Sequence, residues 1–272
     1  MHLIVQRSKG FGDVIAATAT VEHLAKAGHT ITFQTESLCR QVVEGNRFIL
    51  NIEKSYEKTP DINLDVPEIC QRQKDLHLQE AFALVAKRMI PMAYPVIRPN
   101  INISEEEKAW VVPHLSRFPR PWIFVCPGSW QATARTVADS TWSELVPMLS
   151  GTLFNPTNST MNWVNYIGNG TFRGLMAAMT SADLLITVDS GPMHVAASLG
   201  VPIVAIEQAW PIYLRIPTGS PCETVSCGQM CSPCRDHICQ RQGTSKISPP
   251  CQMVSAKAIA DAAHRMLALN RF

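Results

Sequence analysis

The sequence predicts an α/β protein built on parallel sheets and divided into two domains. Three observations carry this. Short Val/Ile/Leu runs alternate with stretches whose apolar residues recur at helical spacing. The runs at 122–126, 184–188 and 202–206 are apolar almost throughout, the pattern of strands covered on both faces. A strand, a glycine-bearing loop and a helix succeed one another at the start of the chain, and the same order restarts near residue 121. The 272 residues suffice for two small domains. With 46% hydrophobic and 17% charged residues, the chain can form a sizeable core and is not disordered as a whole.

In order along the chain, Leu3-Ile4-Val5 reads as a strand and residues 13–26 as a helix with Val14, Ala17, Val21 and Leu24 on one stripe. Gly28 stands where a helix-terminating glycine belongs. Residues 30–35 read as a strand, 37–44 as a helix, 48–50 as a strand and 62–66 as a weaker strand. Residues 76–89 form a helix with Leu78, Ala81, Phe82, Val85 and Met89 on one face; His77 there reads as structural. Six prolines between 90 and 121 suggest a connector, with a short helix over 104–115 whose first turn is acidic. The second half reads as a strand at 122–126, a helix near 141–149, a strand at 152–154 and a helix at 174–180. Strands at 184–188 and 202–206 follow, with a helix between them and a closing helix over 255–269. The expected domains are 1–100, a connector 101–120, 121–252, and the closing helix within 253–272.

Charge excludes one class of function. Lys+Arg is 24 against Asp+Glu 22, a net charge of +2, without the basic excess of a protein that coats nucleic acid. No apolar run reaches the ~18–20 residues that span a bilayer. Leu3-Ile4-Val5 is too short for a signal-peptide core, so the expected location is the cytoplasm, with room for peripheral contact at a membrane surface. Of nine cysteines, six lie between 222 and 251. An odd number without an export signal points away from a disulfide scaffold and towards a thiol metal site or small buried residues.

Two constellations carry chemistry. In the first, a buried strand ends at Asp189 and leads through Ser190-Gly191-Pro192-Met193-His194 into a helix. Ser190 is placed to cap it and Pro192 suits its first turn. Free backbone N–H groups and the positive helix end converge at such a junction, which suits a diphosphate, or simply a capped helix. In the second, Lys9-Gly10-Phe11-Gly12-Asp13 places a carboxylate at a helix start beside two glycines. Asp13 can accept a proton there, or only stabilise the helix.

Taken together these residues resemble glycosyltransferase family 9, the bacterial ADP-heptose:lipopolysaccharide heptosyltransferases. Gly12-Asp13-Val14 with Thr18 and Ala19, Pro127-Gly128-Ser129 followed by Trp142, and the run from Ala182 to Pro202 are similar to the family's blocks, in the family's order. Cys231-Ser-Pro-Cys234 with Cys239 and Cys251 is similar to a cysteine-bearing stretch of many members. The resemblance implies a GT-B-like fold of two Rossmann-like domains with parallel sheets facing across a cleft, the first shortened. It implies transfer of a heptose or similar sugar from a nucleotide diphosphate donor to an acceptor hydroxyl with inversion. Asp13 would be the general base. Gly128, Ser129, Arg135, Asp189, Ser190, Gly191, Met193, His194 and Glu207 would bind the donor, Arg135 standing in for a family lysine, while Lys9, Gly10 and Gly12 would shape the acceptor-side loop.

No cofactor is implied for catalysis. Cys231, Cys234, Cys239 and Cys251 supply four thiolates for a structural zinc or iron. The implied partners are ADP-heptose or a related nucleotide-sugar, with a glycan, the lipopolysaccharide core or a protein as acceptor. Peripheral contact with the inner membrane fits such an acceptor. Three departures stand out: the short first domain, a segment 156–163 too short for a crossover helix, and Glu207-Gln208 where the family tends to have glycine. They leave two alternatives, a different nucleotide-sugar donor and a catalytically silent relative that binds or assembles.

Overall fold

A computed structural model describes residues 1–72, 74–129, 132–155, 165–166, 171–217, 219–235 and 249–269. It divides into two compact units: Met1–Ser104 with Ile216–Gly219, and Glu105–Arg215 with Ser220–Phe272.

The first unit runs β1 (His2–Gln6), α1 (Phe11–Lys26), β2 (Thr30–Thr35), α2 (Ser37–Val43), β3 (Asn51–Lys54), β4 (Ile62–Asn63), α3 (Pro67–Arg72) and α4 (Leu78–Met89). Its sheet has the order β3-β2-β1-β4 and every pairing is parallel. Two of its strands differ from the sequence pattern. The apolar residues 48–50 lie in a turn, and the strand begins at Asn51. The cause is Asn46, whose buried side chain accepts from the Phe48 N–H at 3.0 Å and donates to the Asn100 carbonyl at 2.8 Å. That side chain offers the backbone an alternative to the ladder. The strand expected over 62–66 stops at Asn63, because the Asn63 side chain accepts from the Asp65 N–H at 2.9 Å and turns the chain. His77 caps α4 in a reciprocal box with Glu80, a structural role.

The second unit runs α5 (Glu105–Leu115), β5 (Trp122–Cys126), β6 (Gly128–Ser129), β7 (Ala132–Thr136), α6 (Asp139–Leu145), β8 (Thr152–Asn155), β9 (Asn165–Tyr166), α7 (Phe172–Met179), β10 (Leu184–Val188), α8 (Gly191–Leu199), β11 (Ile203–Glu207), β12 (Cys222–Ser226) and α9 (Ala256–Leu269). Its main sheet has the order β12-β11-β10-β5-β8-β9, again parallel throughout. Ile123, Val125, Leu184, Ile186 and Val204 meet Trp142 of α6 and Ile259, Ala263 and Met266 of α9 in one core. Each such side chain, fully buried, contributes roughly 1.5–3 kcal/mol. The helix expected over 141–149 starts at Asp139 and gives way after Leu145 to a 3-10 turn, Val146–Met148, in which Pro147 lacks the N–H a longer α-helix needs. The Pro127-Gly128-Ser129 turn opens an antiparallel hairpin, β6–β7, ahead of that helix. Residues 156–163, expected to be short for a crossover helix, lie outside the described residues.

Candidate functional site

Each unit gathers its chemistry-bearing residues at the carboxyl end of its central strands, where ligands bind in parallel sheets. In the first unit the chain leaves β1 through Arg7, Ser8, Lys9 and Gly10 and enters α1. Gly10 sits at φ 81° just before the helix, and a Cβ there would lie 2.9 Å from Asp13 Oδ2. Only glycine combines that backbone with that approach. Asp13, in the first turn of α1, accepts from Arg7 Nη2 at 2.6 Å on Oδ2. Arg7 Nη1 also donates to the Leu64 carbonyl at 3.0 Å and to Asp65 Oδ1 at 3.3 Å, and its guanidinium lies 5.6 Å from the centre of the Phe82 ring. Asp65 further accepts from the Ser8 N–H and from Gln6 Nε2 at 3.0 Å. Gly12 lies within the first turn of α1. Lys9 is exposed and pairs with Glu36 at 3.3 Å. Beside the loop, burial first and then the Glu36 carboxylate push the Cys39 thiol up to about 11, so it stays neutral near pH 7.

In the second unit, β10 delivers Asp189 to the start of α8. The Asp189 side chain is 5% exposed and accepts from Arg135 Nη1 at 2.8 Å and from Arg215 Nε at 3.4 Å. His194 Nε2 lies 4.0 Å from its other oxygen. Arg135, carried on β7, also donates to the Asp189 carbonyl at 3.0 Å. Burial alone would raise the carboxyl pKa; the Arg215 and Arg135 guanidiniums, with the nearby His194 ring, outweigh it and hold Asp189 below the ordinary carboxylate range. Its carboxylate is thus turned onto two guanidinium groups. Arg215 lies over the Trp210 ring at 4.8 Å.

Ser190 occupies the cap position of α8 with extended backbone, but its hydroxyl makes no cap hydrogen bond. It lies 3.2 Å from Thr187 Oγ1 instead, which corrects the capping role read from the sequence. Gly191 starts α8; Pro192 in its first turn has no N–H, and the Met193 N–H donates to the Ser190 carbonyl at 3.1 Å. Met193 is fully buried, which sets it apart from the ligand-facing role the resemblance implied. Gly128 pairs with Thr136 in the hairpin, where a Cβ would come 3.2 Å from the Thr136 hydroxyl. Ser129 is in the same hairpin strand. Glu207 accepts from the Ile212 N–H at 3.0 Å and so shapes the turn after β11. Gln208 donates from one amide nitrogen to the Thr136 carbonyl at 2.8 Å and to the Cys251 carbonyl at 2.9 Å.

Among the described residues, no group of three or more His, Cys, Asp or Glu side chains is placed to hold a metal ion. Cys251 is buried, Cys231 half-buried and Cys234 exposed, while Cys239 lies outside the described residues. No helix among the described residues is long and apolar enough to cross a membrane. Sequence reasoning missed Arg7, Asp65 and Arg215. Arg7 carried a local signal, a charge at the end of an apolar strand before a glycine loop. Arg215 carried none.

The sequence profile described as glycosyltransferase family 9 (heptosyltransferase) matches residues 63–244, a span that includes the Asp189 junction but not Asp13. No curated protein has a sequence that matches this chain. Among solved structures, a family 9 glycosyltransferase from Veillonella parvula DSM 2008 superposes with a TM-score of 0.78 at 19% identity, over 98% of this chain and 97% of that one. The ADP-heptose lps heptosyltransferase II of E. coli gives 0.69 at 15% identity over the full length of both. The iron-containing dodecameric glycosyltransferase TibC from enterotoxigenic E. coli H10407 gives 0.72 at 12% identity, over 98% of this chain and 76% of that one. These likenesses establish the GT-B-like fold, and the profile establishes the family: the chain belongs to glycosyltransferase family 9, the heptosyltransferases, and is a glycosyltransferase.

Proposed function

We propose that this glycosyltransferase moves a heptose, or a sugar of closely similar shape, from a nucleoside diphosphate donor to an acceptor hydroxyl with inversion. The observation that carries the reading is the pair of guanidinium groups, Arg135 and Arg215, ordered by one buried carboxylate beside the α8 helix start. Two guanidinium groups gather at the start of α8, where the positive helix end also favours an anion. A diphosphate suits that environment, and guanidinium forks bind it bidentately. Gly191 and Ser190 would supply the closest backbone approach, with Gly128 and Ser129 in the neighbouring hairpin, and His194 would order the same turn. ADP as the nucleotide, supported by the relative whose name specifies ADP-heptose, is part of the proposal.

In the reaction the acceptor oxygen attacks the anomeric carbon as the bond from that carbon to the diphosphate oxygen breaks. The electron pair leaves with the nucleoside diphosphate, whose growing charge the two arginines stabilise. The acceptor proton passes to Asp13, the general base, which Gly10 and Gly12 leave reachable. Attack opposite the leaving group inverts the anomeric centre. The cationic charge comes from protein side chains, so the proposed chemistry needs no metal. A structural ion on Cys231, Cys234, Cys239 and Cys251 would take no part in these steps.

A thermal-shift series across ADP-, GDP-, UDP- and dTDP-sugars tests the donor. A ligand at 100 times its Kd adds about 2.7 kcal/mol of stability. The expected result is a shift with ADP-heptose and release of ADP from it; a shift without any turnover identifies a silent binding relative, and a larger shift with another nucleotide reassigns the donor. Proton NMR of the product's anomeric signal decides inversion.

A further inference from the structure

We propose that Arg7 is a positioning residue for the general base, and that Asp13 Oδ1 is the atom that receives the proton. The inference rests on the reading that Asp13 is that base. Among the described residues, every hydrogen bond to the Asp13 side chain ends on Oδ2, where Arg7 Nη2 approaches to 2.6 Å. Gly10 closes on the same oxygen from the loop: the site a Cβ would occupy is 2.9 Å away. Oδ2 therefore sits in a socket of protein atoms. Oδ1 is left to face an acceptor, and Asp13, at 24% side-chain exposure, is accessible enough to meet one.

The socket holds because Arg7 is itself held. Its other nitrogen bridges the Leu64 carbonyl and Asp65, its face rests on Phe82, and its side chain is 12% exposed. These partners come from the turn after β4 and from α4, more than fifty residues along the chain from the glycine loop. A carboxylate on its own has a broad, two-fold χ2 and turns easily about that bond. Tied through one oxygen to an immobile guanidinium, it presents the other in a fixed direction. General-base catalysis requires the base within roughly 2.6–3.2 Å of the proton it takes. A misplacement of about 1 Å can cost about 10²-fold in rate. Lysine cannot replace the arginine here: an ammonium is a point charge, whereas the planar fork reaches Asp13, Asp65 and the Leu64 carbonyl together.

A merely structural arginine, tying β1 to the turn after β4, would fit the same contacts. The two differ in what they predict. The test uses the full chain with ADP-heptose as donor and water as acceptor, ADP release as the rate, and calorimetric ADP affinity as the control. For a positioning residue, Arg7→Lys and Arg7→Ala lower kcat by about 10- to 100-fold. KM and ADP affinity stay within about two-fold of wild type, and free guanidinium ion restores part of the Arg7→Ala rate. Added to Asp13→Asn, Arg7→Ala costs nothing more, because the carboxylate it aimed is gone. Gly10→Ala crowds Oδ2 without removing any partner of Arg7, and lowers kcat in the same selective way. Wild-type kcat in folded Arg7→Lys and Arg7→Ala, with Asp13→Asn inactive, overturns the positioning role and leaves the general base standing. Losses that multiply with Asp13→Asn, or that fall equally on KM and ADP affinity, also overturn it. Turnover retained by Asp13→Asn overturns the general-base reading and this inference with it.

Discussion

At the end of β1 one guanidinium, Arg7, lies between two carboxylates, Asp13 and Asp65; at the end of β10 one carboxylate, Asp189, lies between two guanidiniums, Arg135 and Arg215. Both clusters use the same bond type at equivalent places in parallel sheets. Exposure differs as well: Asp13 is 24% exposed and Asp189 is 5% exposed. The difference teaches how one interaction serves opposite tasks. In the first cluster the proposed working group is the carboxylate of Asp13, and the arginine is scaffolding. In the second the proposed working groups are the guanidiniums, which would meet the leaving diphosphate, and the carboxylate is scaffolding.

Substitutions that exchange a working group with a scaffolding group sharpen that comparison. The largest effect should come from Asp13→Asn. It removes the proposed proton acceptor while keeping shape, and turnover should fall by roughly 10²–10⁴ with nucleotide affinity nearly unchanged. Steady-state kinetics together with titration of ADP checks it; more than about half the wild-type rate would break the comparison at its first member.

Asp189→Asn should instead act on stability. It leaves the buried Arg215 and the half-buried Arg135 facing a neutral amide, and losing one partner of a buried pair costs about 3–5 kcal/mol. Chemical denaturation reads this directly. The pH dependence should follow. Asp189 has its folded pKa held below the unfolded value of about 3.9, so its stabilising contribution is complete above that value. It is lost as pH falls through the lower folded value. Wild type should therefore lose stability in that acid window more steeply than Asp189→Asn, and parallel curves would show that Asp189 is not the group responsible.

Smaller effects should come from the α8 start. Gly191→Val places a branched side chain where the diphosphate is proposed to approach and should weaken ADP binding strongly. Ser190→Ala removes one hydroxyl, worth on the order of 1–2 kcal/mol. Unchanged affinity in a folded Gly191→Val protein would place the nucleotide elsewhere.

The smallest effect concerns thiols. In protein freed of metal under reducing conditions, the exposed Cys234 should be alkylated first. Cys222, whose thiol burial pushes up to about 11, should follow slowly, and the buried Cys126, raised further by burial, last. Elemental analysis before metal removal, with less than about a tenth of an equivalent of zinc or iron, would dismiss the structural ion; mass mapping gives the labelling order.

Much of the scaffold was legible in the chain. β5 and β10 were readable to the residue because strands buried on both faces are apolar without interruption. The Asp189 junction was readable because strand, cap position and first-turn proline are consecutive. The strand assigned to 48–50 failed where a single side chain, Asn46, redirected an apolar run. The scaffolding members of the clusters were illegible for a different reason. Arg7 meets Asp65 across 58 positions, and Arg215 meets Asp189 across 26. Such pairs leave no periodicity, because neither partner constrains the residues beside it. Local pattern reveals which residues end strands; it does not reveal which distant charge will hold them.

The first unit is not a continuous stretch of chain. It takes back Ile216–Gly219, four residues that lie far along the sequence among those of the second. His77 Nε2 is 2.8 Å from the Ile216 carbonyl, and Arg98 donates to the Gly219 carbonyl at 2.8 Å. For anyone recombining relatives by exchanging the first unit, a single crossover near residue 104 is therefore the wrong cut. It would import a first unit whose His77 and Arg98 must find their carbonyls in a foreign return segment. A working chimaera needs two junctions more, so that residues 216–219 travel with the unit to which they belong.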